Sequence, residues 1–263
     1  SNLRDGTWTN ISYSELSGAV GPSNDLVNVT INPNNPNETY ISSFQKGLLK
    51  MDGQAPLVLY NDSNSPLEIP PTSDPVAMGI RLYGSEFDSQ GNLWFVQSRS
   101  NEGLIKLTSG GQFQKIDIFN IINGEGEQAL TEVAISREGY VFFGSSQSGL
   151  MGYNPSNGMF NRIEEGEGNG NIPRNSVRSL AFDNQNRLWI GTSLGLRVLY
   201  SVGGFFEDGA DIDAQSVIIL EDGVAQELLF EQFITDIEVD GSNNKWISTA
   251  TSGVCYLSSN GQE

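Results

Sequence analysis

Histidine is absent from this sequence of 263 residues, and cysteine occurs once, as Cys255. Without histidine, the chain cannot build a Ser-His-Asp or Cys-His catalytic arrangement, or a metal site made of histidines. A single cysteine leaves no partner for an intrachain disulfide. Its position between Val254 and Tyr256, in a predicted strand, favours a small buried side chain. The composition therefore excludes the commonest nucleophilic enzymes.

Lysine and arginine are scarce, since 14 basic residues stand against 32 acidic ones and the net charge is −18. Nucleic acids and anionic membranes attract basic surfaces, so neither is expected as a partner. We interpret the excess as an acidic surface that prevents self-association, with a site for a basic partner as the alternative. No run approaches the ~18 apolar residues of a membrane helix, so this segment is not expected to insert into a membrane.

What the sequence does contain is an internal repeat. An aromatic residue in a predicted strand is followed six to nine residues later by a glycine that opens the next strand. Leucine or valine follows each of these glycines, which are 46 to 58 residues apart. The five pairs are Tyr40 with Gly47, Trp94 with Gly103, Phe142 with Gly149, Trp189 with Gly195, and Trp246 with Gly253.

A turn rich in Asp, Asn and Gly precedes the aromatic strand of each unit. Asp and Asn favour turns because they bond their own backbone and tolerate left-handed conformations. Clear copies begin at Asp88, Ser136, Asp183 and Asp240, and a degenerate copy spans 32–37. A repeat of this length, with three or four strands and no helical pattern, indicates a β-propeller blade. We expect the five aromatic residues to lie between neighbouring blades, where each large ring buries ~150–250 Å².

The predicted fold is therefore all-β: a β-propeller of about five four-stranded antiparallel blades that form a single domain over residues 1–263. The last blade lacks an outer strand. We expect the N-terminal strand around Trp8, residues 6–12, to supply it and close the ring, because closure removes an exposed sheet edge. The alternative, five blades cut from a seven-bladed ring, stays open. The blades span approximately 26–62, 78–119, 130–165, 175–230 and 233–263.

The fourth blade has an additional outer part. Two apolar stretches, 216–221 and 225–230, face each other across Asp222 and Gly223. Asp-Gly between two strand-forming runs is typical of a tight β-hairpin. We therefore predict a hairpin between the fourth and fifth blades.

Carboxylates are the remaining candidates for chemistry, because a carboxylate pair can hydrolyse glycosides. The turn at Asp88 is faintly similar to the Asp-box of sialidase propellers, but it precedes Trp94 by six residues and recurs in every blade, which marks it as structural. Asp208, Asp211 and Asp213 are weak candidates for a Ca²⁺ site. They lack the glycine and bidentate glutamate of an EF-hand loop, so a solvated acidic loop is favoured. We predict no catalytic residue, cofactor or metal, with a glycoside hydrolase as the remote alternative.

Two segments, 175–200 and 234–257, resemble the propeller repeat of periplasmic sensor regions in hybrid two-component regulators of Bacteroidetes. The shared pattern is Val-x-x-Leu/Ile-x-x-Asp, the Asp/Asn/Gly turn, Leu-Trp-Ile-Gly-Thr and Gly-Leu. The run 240–249 together with 252–254 looks most like the PorZ-like propeller proteins of the type IX secretion attachment complex. The resemblance covers all five units, although Tyr40 and Phe142 replace the tryptophan in the first and third.

This resemblance implies an exported binding or scaffold protein without chemistry of its own. In the PorZ-like case its partners would be proteins of a surface assembly, with lipopolysaccharide as a further ligand. In the sensor case the ligand would be a glycan fragment. The resemblance also implies residence in the periplasm or at the outer-membrane surface. Because the chain begins at Ser1 without methionine, we interpret it as a trimmed segment that lacks its signal peptide, and its start says nothing about location. The ligand, the binding loops and the oligomeric state stay open.

Overall fold

The computed structural model describes residues 1–4, 6–70, 79–122, 129–210, 212–221 and 223–259. The fold class is as predicted, an all-β propeller of five antiparallel blades, with one short helix among the described residues. The chain divides into two compact units, Ser1–Asp117 and Ile118–Glu263. That the two act as a single domain stays a prediction. None of the described helical residues forms a helix long and apolar enough to cross a membrane.

The first unit contains a hairpin, a helix and two four-stranded blades whose strands pair antiparallel in chain order. The hairpin strands are β1 (Asn2–Arg4) and β2 (Thr7–Thr9), and helix α1 spans Tyr13–Val20. The first blade contains β3 (Leu26–Ile31), β4 (Glu38–Ser43), β5 (Gly47–Asp52) and β6 (Ala55–Tyr60). The second contains β7 (Leu82–Phe87), β8 (Leu93–Gln97), β9 (Leu104–Leu107) and β10 (Phe113–Ile116).

The second unit contains the other three blades. The third blade contains β11 (Leu130–Ile135), β12 (Val141–Ser145), β13 (Leu150–Asn154) and β14 (Met159–Ile163). The fourth contains β15 (Val177–Phe182), β16 (Leu188–Thr192) and β17 (Gly195–Leu199), and it is followed by the hairpin β18 (Ile218–Glu221) and β19 (Val224–Glu227). The fifth contains β20 (Ile234–Val239), β21 (Lys245–Thr249) and β22 (Val254–Leu257). Each of the first three blades thus has four strands. Each of the last two has three strands among the described residues.

The predicted hairpin is confirmed, with Ile218 opposite Glu227 and Leu220 opposite Ala225. It forms a two-stranded sheet of its own and is not the outer strand of the fourth blade. The outer edge of the fourth blade pairs instead with Gln215, whose backbone exchanges two hydrogen bonds of 2.8 Å with Val198 on β17.

The five blades share one register. The innermost strand of every blade has a shift in pairing near its start, and the residues that follow pair with the aromatic strand. The residue opposite each aromatic is equivalent from blade to blade. The pairs are Thr30 with Tyr40, Glu86 with Trp94, Ala134 with Phe142, Ala181 with Trp189, and Glu238 with Trp246.

The core lies between neighbouring blades of each unit. In the second unit, Trp189 of the fourth blade packs with Ile234 and Ile247 of the fifth. Phe142 of the third blade packs with Leu180 of the fourth. A three- or four-stranded sheet cannot bury both of its faces alone, and neighbouring blades within a unit cover the faces that they turn toward each other. The prediction that the repeated aromatics lie between blades is confirmed for Trp189 and Phe142.

The first unit repeats this packing. The ring of Tyr40 meets the ring of Phe87 edge to face, with centroids 5.9 Å apart. Trp94 is also buried. Two residues of the last blade differ from expectation: Trp246 is 47% exposed, and Cys255 is only half-buried.

The sheet that contains the Trp8 strand is a two-stranded hairpin, and the pairing of this strand with the last blade stays a prediction. Strand β2 pairs with β1, with Leu3 opposite Trp8, and β22 is the outermost strand of the last blade among the described residues. Gly6 has a φ of +73°, which lets the chain reverse direction between β1 and β2. Pairing with a strand two residues away also costs less loop-closure entropy than pairing with a distant one.

Helix α1 has no counterpart in the sequence-based prediction. Its N-cap is Ser12, whose hydroxyl accepts from the backbone of Glu15, while the Glu15 carboxylate accepts from the backbone of Ser12. This reciprocal capping box corresponds to the sequence pattern Ser-x-x-Glu. The helix buries Leu16 against Leu49 and Leu59 of the first blade.

Candidate functional site

The loops of each blade gather at two opposite edges of its sheet. The turn edge carries the loops that join the innermost strand to the aromatic strand, such as 88–92 and 183–187. The loop edge carries the loops that join the aromatic strand to the third strand, together with the connections between blades. The turn edge repeats in sequence, whereas the loop edge does not. Their polar groups have correspondingly different roles.

On the turn edge, the Asp88 carboxylate is fully occupied by its own turn. One oxygen accepts from the backbone N–H groups of Gln90 and Asn92 at 3.0 and 2.9 Å. The other accepts from the side-chain amide of Asn92 at 2.8 Å and from the indole N–H of Trp94 at 2.9 Å. Burial alone would raise the pKa of Asp88, but these hydrogen bonds lower it. The repeated aspartate thus ties the turn to the tryptophan, which supports the structural interpretation.

Asp183 holds the equivalent turn of the fourth blade more tightly. Its carboxylate accepts from Arg187 Nε at 2.6 Å and from the indole of Trp189 at 3.1 Å. Lys245 of the fifth blade brings its ammonium group to 3.4 Å. Burial would raise the pKa of Asp183, but the hydrogen bonds from Arg187 and Trp189 outweigh it and lower the pKa to about 2. A carboxylate held ionised in this way is a poor general acid.

The turns of the second unit are also linked to one another. The backbone N–H of Arg137 donates to the side chain of Asn186 at 2.8 Å, and the Arg137 guanidinium donates to the carbonyl of Asn184 at 3.0 Å. The backbone N–H of Asn184 in turn donates to the side chain of Asn243 at 2.8 Å. These bonds join the third, fourth and fifth blades along one edge. The turn edge therefore fixes the blades in place.

On the loop edge, the first blade forms a cleft of about 370 Å³. Small-molecule sites typically occupy ~300–1,000 Å³ and combine an apolar lining with a few polar groups. Here the apolar part comes from helix α1, the end of β6 and the connection to the second blade, and the polar part from the loops after β4 and β6. The lining includes Val20, Leu59, Ile69, Ile80, Gln45, Lys46, Asn61 and Asp62.

One wall of the cleft is rigid because two segments of backbone lie in direct contact. A Cβ atom on Gly79 would lie 2.7 Å from Cα of Gln45, and its φ of +63° is one that glycine adopts readily. The N–H of Ile80 donates to the carbonyl of Gln45 at 3.0 Å. The hydroxyl of Ser43 accepts from the backbone of Gln45 and Lys46 at 3.3 and 2.9 Å. The cleft is thus largely preformed.

The polar groups of the cleft are available to a ligand. Among the described residues, no ion pair or hydrogen bond involves the Lys46 ammonium, the Asp62 carboxylate or the side-chain amide of Gln45. Lys46 and Gln45 are half-buried. An amide, an ammonium and a carboxylate around an apolar floor can bind hydroxyl and anionic groups of a ligand. Sequence reasoning did not find this site, because nothing in the repeat marks residues at the loop edge.

Of the three weak metal candidates, the structure describes the surroundings of Asp213 in most detail. Both carboxylate oxygens of Asp213 accept backbone N–H bonds of 2.8 Å, from Gly168 and Gly170. Asp211 lies outside the described residues. Within the described ranges, no group of three acidic or cysteine side chains is placed to hold a metal ion. Asp213 instead braces the acidic glycine loop after the third blade.

Comparison with known proteins confirms the resemblance. The family described as "two component regulator propeller" matches residues 171–193. PorZ, an essential surface component of the type IX secretion system of Porphyromonas gingivalis, has a similar structure, with a TM-score of 0.82 and 19% identity over 97% of this chain and 36% of PorZ. The extracellular domain of the putative hybrid two-component system BT4673 from Bacteroides thetaiotaomicron gives a TM-score of 0.60 and 20% identity over 88% of this chain and 27% of that one.

Propeller enzymes are also similar in fold. Virginiamycin B lyase from Staphylococcus aureus gives a TM-score of 0.57 and 11% identity, over 89% of this chain and 67% of the lyase. A search of curated proteins gave no sequence match. The chain spans about a third of the length of PorZ and about a quarter of the BT4673 domain. At these identities the likeness establishes the fold.

Proposed function

We propose that this chain is an extracytoplasmic, non-enzymatic binding module that acts as a PorZ-like scaffold in type IX secretion and surface attachment. The observation that supports this most is the similarity to PorZ over 97% of the chain. Its TM-score of 0.82 is higher than the 0.60 of the BT4673 domain, and the Trp-Ile-Ser-Thr and Ser-Gly-Val pattern at 246–249 and 252–254 accompanies it. The partners would be proteins of the surface assembly, with lipopolysaccharide or another glycan in the cleft of the first blade.

The state of the carboxylates supports a role without catalysis. Those of Asp88, Asp183 and Asp240 each accept hydrogen bonds from the turn and the tryptophan of their own blade. These three carboxylates hold their turns in place, which is the structural role that the recurrence of the turn predicts. An inactive variant of the S. aureus lyase replaces a histidine by alanine. This chain has no histidine, so it cannot reproduce a site that depends on one.

A periplasmic ligand-sensing domain is the second candidate function. It is favoured by the match at residues 171–193 and by the similarity to the BT4673 extracellular domain. In that case the cleft would bind a glycan fragment, with Gln45 and Asp62 binding hydroxyl groups and Lys46 binding an anionic substituent. Polar side chains that are half-buried and unpaired suit this kind of recognition.

Complementation of a deletion strain distinguishes the scaffold from the ligand-sensing domain. Strains carrying the full-length gene, either wild type or Gln45→Ala/Lys46→Ala, are compared for attachment of secreted cargo to the cell surface and for glycan-induced transcription. A scaffold predicts that the deletion abolishes attachment and leaves transcription intact. The reverse result supports the sensor and contradicts the scaffold. Gln54→Ala is a matched control, because Gln54 is exposed at the turn edge of the same blade. Release of reducing sugar by the purified protein would overturn both.

A further inference from the structure

The cleft of the first blade is lined by charges of both signs. Lys46 lies in the loop between β4 and β5, and Asp62 lies in the turn after β6. Among the described residues, no ion pair joins these two side chains to each other or to any other group. Lys46 is half-buried and Asp62 is exposed. Both charges are therefore available to a ligand, whose groups they can bind by charge-assisted hydrogen bonds.

A glycine contact brings the two charged loops together. Gly47 has a φ of +112°, and a Cβ atom on it would overlap the carbonyl oxygen of Tyr60 and lie 3.4 Å from Cα of Asn61. Lys46 directly precedes Gly47, and Asp62 directly follows Asn61. The two charged residues therefore start from neighbouring points of the backbone, although their side chains do not pair.

The backbone at both positions is held by hydrogen bonds. The hydroxyl of Ser43 accepts from the N–H of Lys46 at 2.9 Å. In the turn that carries Asp62, the side-chain carbonyl of Asn61 accepts from the N–H of Ser63 at 2.9 Å. Groups that are held in place before binding lose less conformational entropy when a ligand arrives. The two charges are thus presented on a preformed frame.

The end of helix α1 adds negative potential to the cleft. Val20, Gly21 and Pro22, at and just beyond the last turn, belong to its lining. The C-terminal end of a helix carries a partial negative charge, and the last turn of α1 contains no basic residue. The groups that favour a cation are therefore Asp62 and the helix end, whereas Lys46 favours an anion.

We propose that the cleft binds a zwitterionic saccharide, with an ammonium group at Asp62 and the end of α1 and an acidic group at Lys46. This inference rests on the proposed role of the cleft as the ligand site and names the class of its ligand. The volume of about 370 Å³ is near the lower end of the ~300–1,000 Å³ of small-molecule sites, which suits a ligand of disaccharide size or smaller. A free amino acid has both charges on one carbon. Because Lys46 and Asp62 do not pair, charges on separate sugar rings match them better.

A disaccharide of glucuronic acid and glucosamine with a free amine provides the probe. It is titrated calorimetrically into the purified chain at about pH 6, where its amine is protonated and its carboxylate is ionised. The N-acetyl form of the same disaccharide lacks the ammonium group, and its methyl ester lacks the carboxylate. We expect the zwitterion to bind about tenfold more tightly than the ester, because Lys46 is half-buried. It should bind about threefold more tightly than the N-acetyl form, because Asp62 is exposed.

Two variants assign the charges to their residues. Asp62→Asn should bind the zwitterion and its N-acetyl form equally and keep the preference over the ester. Lys46→Gln should lose the preference over the ester and keep the other one. A merely structural role of either residue would weaken all three ligands alike and leave both preferences unchanged. Gln54→Ala, at the turn edge of the same blade, should behave as wild type does.

Three results overturn the proposal. Equal affinities of wild type for the three disaccharides would remove the zwitterion and leave the cleft as a saccharide site. Tighter binding of leucine than of the zwitterionic disaccharide would identify an amino acid as the ligand. No binding of the three disaccharides, alongside binding of a neutral oligosaccharide that Gln45→Ala/Lys46→Ala weakens, would overturn the zwitterion alone. If every saccharide fails to bind, the cleft is not the ligand site, and the proposed function fails at that point as well.

Discussion

The ammonium group of Lys245 lies 3.4 Å from the carboxylate of Asp183 on the neighbouring blade, and both side chains are buried. The pair is asymmetric, since Asp183 retains Arg187 without the lysine, whereas no other carboxylate among the described residues is as close to Lys245. Lys245→Met should therefore lower the free energy of unfolding by about 1 kcal/mol, the size of one ordinary buried hydrogen bond. Asp183→Ala should lower it by ~3–5 kcal/mol, because a buried charge is left uncompensated. Urea unfolding measures both, and equal losses would contradict the asymmetry.

The Asp183 carboxylate should make the free energy of unfolding depend on pH between about 4 and about 2. The pKa of Asp183 is lowered to about 2 in the folded protein, from an ordinary value of 3.8. A group whose pKa is depressed by folding stabilises the native state above its unfolded pKa and loses that contribution as protons bind. The stability difference between wild type and Asp183→Asn should shrink as the pH falls from about 4 to about 2. Urea midpoints across that range test this. A constant difference would show that Asp183 is not the titrating group.

Gly79 should be irreplaceable because of its contact with Gln45. Gly79→Ala combines an unfavourable φ of +63° with a Cβ atom 2.7 Å from backbone atoms of Gln45. We expect a loss of about 2–4 kcal/mol in unfolding free energy. Gly53→Ala is the matched control, since its φ is +58° but no atom lies within 4 Å of the added Cβ. It should cost about 1 kcal/mol, from backbone strain alone. Similar losses for the two variants would contradict the close approach.

Helix α1 should depend on its capping box. Ser12→Ala removes the hydroxyl that accepts from the backbone of Glu15, which typically costs about 1 kcal/mol of helix stability. Hydrogen exchange should then quicken by about fivefold over Tyr13–Val20. Gly18→Ala is a suitable control, because no atom lies within 4 Å of the added Cβ and the cap is unchanged, so exchange should not quicken. Unchanged exchange in Ser12→Ala would show that packing of Leu16 alone holds the helix.

The strands were predictable because their signals repeat. Asp88 and Trp94 form a weak pattern alone, but the same spacing recurs at Asp183 with Trp189 and at Asp240 with Trp246. The structure gives that spacing a cause, since in each copy the carboxylate accepts from the indole six residues later. A spacing with a physical cause in three blades is therefore readable from the sequence.

Features that occur once were not predictable in the same way. The cleft depends on Gln45, Lys46 and Gly79, which are brought together by the connection between the first and second blades. No local pattern encodes that approach. The pairing of Trp8 with Leu3 depends on a competition between two possible partners, and the sequence shows only that Trp8 lies in a strand. Helix α1 is different, because Ser12 and Glu15 carry a readable capping signal.

Ligand binding at the cleft of the first blade is tested most directly by calorimetric titration of the purified chain with lipopolysaccharide and with neutral and acidic oligosaccharides. A preformed cleft with an unpaired Lys46 and Gln45 predicts saturable binding of at least one of these. It also predicts a loss of affinity of about tenfold or more, equivalent to 1.4 kcal/mol, in Gln45→Ala/Lys46→Ala, with the melting temperature unchanged. Gln54→Ala should bind as wild type does. Equal binding by the double variant and wild type, or no binding of any of these ligands, would contradict the assignment of this cleft as the ligand site.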